Sequence, residues 1–135
     1  MSTYDETTRV EQQDQLSETH TLISASKVNG TLVYNRAGDS IGSIYDVMIN
    51  KTSGRIEYAI MSFGGFLGLG EHYHPLPWHV LKYDRQQGGY VVDIDRDRLE
   101  GGPAFATSAT PDWSTGVYGN EVDQYYGVRG GKMVR

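Results

Sequence analysis

Three of the chain's four histidines fall between His72 and His79, in the run Glu71-His72-Tyr73-His74-Pro75-Leu76-Pro77-Trp78-His79. Imidazoles and a carboxylate are the ligand set of zinc and other divalent metals. His72 and His74 are two apart, so in an extended strand both project to one face. With Glu71 they form a candidate metal site, and His79 lies close in sequence. Two same-face histidines need a third ligand that only the fold can supply, and Pro75 and Pro77 make the segment stiff and extended. The competing reading places His74 in hydrogen bonding within a folded rim, with His72 and His79 solvated. On this weighing no metal and no cofactor is expected, and Glu71, His72 and His74 remain the minority candidates.

Other residues with chemical potential have weaker spacing. Gly64-Gly65 and Gly68-Leu69-Gly70 match neither phosphate-loop pattern, and no Lys-Ser/Thr follows. Asp93, Asp95 and Asp97 alternate, with Glu100 beyond, but Arg96 and Arg98 sit among them and the sharp-turn glycine of a calcium loop is missing. They read as a solvated charged edge. Asp46 has apolar neighbours and no acid, base or nucleophile beside it, so it is read as capping a turn or pairing with Lys51 or Arg55. No catalytic set emerges, and a non-enzymatic protein is expected. The apolar residues Phe66, Leu67 and Leu69 stand between glycines, and groups of that size on a loop seek a partner. A second copy of the chain, giving a dimer, is the most economical one. The alternative is a loop folded over the end of the domain as a plug.

The elements that must position these residues are short. Leu22 to Ala25 reads as a brief strand, and Ser26 to Gly30 as one helical turn with Ser26 as cap. Strands follow at Thr31–Tyr34, Ile41–Asn50 and Ile56–Phe63, the last two joined by the turn Lys51-Thr52-Ser53-Gly54. In the first long strand, Ile41, Tyr45, Val47 and Ile49 are assigned to one face, Ile44 and Met48 to the other. Val80–Tyr83 is a strand or short turn, Gln86–Gly89 a turn, Tyr90–Ile94 a strand and Asp97–Glu100 a helical turn. Short strands, glycine turns and little helical periodicity predict an all-β fold, a small closed barrel of about six strands with short helical turns. Closure would remove the exposed edges of a small open sheet.

Composition sets the limits. The 135 residues fit one domain with tails, and the lack of cysteine excludes disulfides and thiolate chemistry. Twelve basic and seventeen acidic residues give a net charge of −5, which disfavours phosphate backbones, so no nucleic-acid partner is expected. No apolar run reaches membrane-spanning length, and the polar N-terminus has neither the basic start nor the apolar core of a secretory leader; a cytoplasmic protein is expected. Three regions follow: a polar arm over 1–21, expected to be disordered or loosely docked; a barrel over 22–102; and a linker and tail over 103–135. Trp113, Tyr118, Tyr125 and Tyr126 make the tail too aromatic for plain disorder. Trp113, Tyr125 and Tyr126 are therefore candidate contact residues, docking on the barrel or on a partner, with a short helix over Gly119–Tyr126.

The order of these pieces resembles the PRC-barrel family. The resemblance is carried by Val28-Asn29-Gly30-Thr31-Leu32-Val33-Tyr34, Gly42-Ser43-Ile44-Tyr45-Asp46-Val47, Tyr58-Ala59-Ile60-Met61-Ser62-Phe63-Gly64-Gly65, Tyr73-His74-Pro75-Leu76-Pro77-Trp78 and Gly89-Tyr90-Val91-Val92. The chain is similar to single-domain bacterial members rather than to the reaction-centre H subunit, which has a membrane helix, or to the ribosome-maturation factor RimM, which has a second barrel. The resemblance implies a PRC-type barrel and an adaptor or assembly role, and it carries over no catalytic residue. A peripheral regulator of a membrane electron-transfer or stress-response complex is the reading by analogy.

Overall fold

The computed structural model describes residues 18–63, 72–129 and 132–133. After a one-turn helix α1 (Ala25–Val28) come strands β1 (Leu32–Tyr34), β2 (Ser40–Ile49), β3 (Ile56–Phe63) and β4 (His72–Pro77). A 3-10 turn (Trp78–Val80) leads to β5 (Leu81–Asp84) and β6 (Gly89–Val92), followed by α2 (Arg96–Glu100), β7 (Phe105–Ala106) and α3 (Val117–Tyr125). Two short strands, β8 (Val128–Arg129) and β9 (Lys132–Met133), form a separate hairpin. The main sheet has the order β5-β6-β1-β2-β3-β4-β7. Its neighbours are antiparallel except β1 and β6, whose parallel pairing joins the β2-β3-β4 meander to the β5-β6 hairpin.

This order forces curvature. β4 and β5 lie five positions apart in the sheet, yet only Trp78, His79 and Val80 separate them in sequence. Five strand spacings in a flat sheet would span about 24 Å. The connecting chain reaches no more than about 14 Å even if fully extended. The sheet must therefore coil until its ends approach, which is the barrel geometry expected from the sequence. The expected hydrogen-bonded closure is not made: among the described residues the ladder ends at β5 and β7. The cause lies in β4. It is paired on both sides only at His72 and Tyr73, and beyond them come Pro75 and Pro77. Proline has no N–H to donate and is confined to sheet edges, so this stretch cannot zip to another strand.

Other expectations need correction. Where about six strands are expected the sheet has seven, the added one being Phe105–Ala106, read as linker, which pairs with β4. The helical turn is capped by Ser24, whose hydroxyl accepts from the Lys27 amide, rather than by Ser26. Ile23 makes a single bridge to Glu18 instead of a strand. Asp46 is exposed and accepts from the Val47 amide at 2.8 Å. The face assignment in β2 fails at a bulge: Ile44 faces Met61 and Asp46 faces Ile60, leaving Tyr45 as the extra residue. One added residue reverses the side chains that follow it, up to a second irregularity between Met48 and Ile49. Ile44 and Val47 thus share the face of their partners Met61 and Ala59, while Tyr45 is exposed and stacked on Tyr73 at 4.0 Å.

The core holds Val33, Ile44, Met61, Leu76 and Val92 from the sheet, Leu99 from α2 and Val122 from α3. Each such side chain contributes about 1.5–3 kcal/mol by leaving water. Gly42 is set by close approach: a Cβ there would collide with the carbonyl oxygen of Ser62 and lie 3.2 Å from Phe63 Cα, both backbone atoms of the paired strand. We expect Gly42→Ala to cost about 1–3 kcal/mol through overpacking, read as a lower denaturant midpoint at unchanged slope. An unaltered midpoint would show that β2 and β3 can separate freely.

Candidate functional site

The tail docks on the barrel through side chains that the sequence does not single out. In α3, Gly119 and Asp123 are four residues apart and share one helix face. That face meets Tyr58 of β3, whose hydroxyl donates to Asp123 Oδ1 at 3.0 Å and lies 3.3 Å from the Gly119 carbonyl oxygen. Glycine suits this approach, since a Cβ on residue 119 would sit 3.0 Å from the Tyr58 hydroxyl oxygen and push it back by a few tenths of an ångström. Trp113 covers the Tyr58 ring at 5.0 Å and meets Tyr118 edge-on at 4.9 Å. Val122 and Tyr126 join the barrel's own hydrophobic cluster.

A second clasp fixes the far end of α3. Arg98 Nη2 donates to the Tyr125 carbonyl at 2.6 Å, and the Tyr125 hydroxyl donates back to the Arg98 carbonyl at 2.6 Å. The guanidinium carbon stands 5.4 Å from the Tyr125 ring centre and 5.9 Å from that of Tyr126. A cation at the C-terminal turn of a helix also meets the negative end of its dipole.

Asp123 is buried, with 6% of its surface exposed. Burial pushes its carboxyl above the ordinary range, while the Tyr58 hydrogen bond and the charge of His79 pull it back. The Tyr58 phenol is raised in turn, by burial first and then by its bond to Asp123. His79 Nε2 is buried without a hydrogen-bond partner among the described residues.

The histidines of β4 separate. His74 faces Met61 and is buried, its ring edge-on to Phe63 at 4.7 Å. Burial lowers its pKa, and the charge of His72 lowers it further, against the opposing pull of Glu100 and the Leu99 backbone. His72 is exposed where β4 begins. Among the described residues no three His, Cys, Asp or Glu side chains converge in a way that could hold a metal. Glu71, Phe66, Leu67 and Leu69 lie outside the described residues. Trp113, Tyr125 and Tyr126 are brought together with the barrel. Tyr58, Asp123, Gly119 and Arg98 were missed; the Gly119/Asp123 pair on one helix face was the available signal.

The fold and docked tail define a small coiled β-sheet module that binds a helix on its surface. The chain belongs to the PRC-barrel family: the PRC-barrel domain matches residues 20–99. PRC-barrel domains are protein-interaction and assembly modules and are generally non-catalytic. No curated protein matches the chain. The family match ends at Leu99, so α3 lies beyond it. No helix of the described residues is long and apolar enough to cross a membrane.

Two outcomes test these assignments. Asp123 has a raised folded-state pKa, so its contribution is fully present below the ordinary value of 3.8 and is lost as pH rises through the raised value. Asp123→Asn keeps an acceptor for Tyr58 and should flatten that slope, whereas Tyr58→Phe should cost about 1–3 kcal/mol by removing a partner from a buried carboxylate. Amide exchange in α3, followed across pH, checks both. His74 has the opposite sign: with a lowered folded-state pKa, its stabilisation is present above 6.5 and is lost as pH falls below it. Thermal unfolding of His74→Gln beside the wild type should show a smaller acid loss in the variant.

Proposed function

We propose that the protein is a non-enzymatic, cytoplasmic adaptor or assembly module that associates with a second copy of itself through Phe66, Leu67 and Leu69. The observation that carries the reading is the docking of α3. The barrel holds a nine-residue helix through a buried hydroxyl–carboxylate contact, ring packing and an arginine clasp. A surface able to hold a helix supports a protein-binding role, and in this chain the bound helix is its own. The same observation divides the contact residues. Trp113, Tyr125 and Tyr126 serve the internal interface, whereas Phe66, Leu67 and Leu69 belong to the segment joining β3 to β4.

Light scattering after size exclusion tests the proposal. The wild type should run at twice the 15.0 kDa chain mass. A Phe66→Ser, Leu67→Ser, Leu69→Ser variant should run as a folded monomer with unchanged far-ultraviolet circular dichroism. A wild type that stays monomeric at high concentration, or a variant that stays dimeric, overturns self-association through this segment.

A further inference from the structure

We propose that the cleft between residues 18–23 and the β5-β6 hairpin is a binding site for a small aromatic carboxylate. The cleft has a volume of about 450 Å³ and is walled by Trp78, Tyr83 and Tyr90, with Ile23 and Leu81 as apolar lining and Arg85 at its rim. That volume falls within the range of small-molecule sites, which pair mostly apolar walls with a few placed polar groups.

The rings form one assembly. Tyr90 is buried, and Trp78 and Tyr83 each meet it edge-on, at 5.2 and 5.1 Å with planes 64° and 70° apart. A planar aromatic guest finds offset-stacked or edge-on contacts against such a wall. An aliphatic guest of equal size would lose the ring-to-ring contribution.

Charge decides the other half of the ligand. Among the described residues the cleft holds one carboxylate, Glu18, which is already matched by Lys27 Nζ at 3.2 Å and by the Tyr83 hydroxyl, which donates to it at 2.6 Å. That bond raises the Tyr83 phenol to about 12, so it stays a donor to Glu18 across the physiological range. Arg85 has no such match. Among the described residues no carboxylate lies within ion-pair distance of it, and its guanidinium contacts the ring of His20, which can offer a lone pair but no negative charge. An unmatched guanidinium beside an aromatic wall suits a carboxylate, which it can engage through two parallel hydrogen bonds. In an acidic chain the surrounding field disfavours all anions, so an anion that lacks the ring contact has only the guanidinium to offset it.

The experiment is a nitrogen-15 NMR titration of the full chain with indole-3-acetate. Saturable shifts should map to the Trp78 indole and to the amides of Leu81, Tyr83, Arg85 and Tyr90. Indole-3-acetamide, which lacks the charge, and cyclohexylacetate, which lacks the ring, should each bind about tenfold more weakly. Arg85→Gln should weaken indole-3-acetate by a similar factor, and because Arg85 is exposed the variant should keep the wild-type spectrum elsewhere. Lys82→Gln, which removes a cation three residues from Arg85, on β5 and outside the cleft lining, should change nothing. Absence of saturable shifts up to about 10 mM, equal binding of either analogue, full affinity in Arg85→Gln, or an equal loss in Lys82→Gln would each overturn the proposal.

Discussion

Three residues carry the chain across nearly the whole width of its sheet. Trp78, His79 and Val80 bridge β4 and β5, which the strand order holds five positions apart. So short a link can be satisfied only if the sheet coils, and the coil gives the small domain an interior. The bulge at Tyr45 serves the same end, since a bulge bends its strand and increases its twist. The turn also places Trp78 against Tyr90, so the constraint that curls the sheet also builds the aromatic wall of the cleft.

The tail is held by a balance of unlike terms. Burying a carboxylate is costly, and Asp123 is left with a raised pKa despite its bond to Tyr58. Apolar burial of Val122 and Tyr126 must offset that cost. The polar contact therefore defines where the helix sits more than how tightly it is held.

Sequence legibility followed the range of each interaction. The turns at Lys51–Gly54 and Gln86–Gly89 were readable because glycine is needed locally, at φ of 79° for Gly54 and 70° for Gly88. Strand positions were readable from alternation, and family membership from the runs that follow those strands. The bulge was not, because Tyr45 is an ordinary strand residue whose displacement depends on the register of β3. β7 was missed because its two residues gain strand geometry only from β4. Ser24 and Ser26 are chemically equal caps two residues apart, so residue type alone does not choose between them. Tyr58 and Asp123 stand 65 residues apart, beyond any local pattern, whereas the aromatic weight of the tail was visible as composition.

The proline edge of β4 limits how the molecule can meet its neighbours. A strand edge with free N–H groups is a template, and copies of a chain can add to it without end. Between Tyr73 and Trp78 this edge lacks two donors, at Pro75 and Pro77, while β7 covers His72 and Tyr73. Association along this edge is therefore confined to side chains, which recognise a finite partner. The prolines that keep this stretch of β4 from zipping across the barrel seam also keep it from templating a further strand.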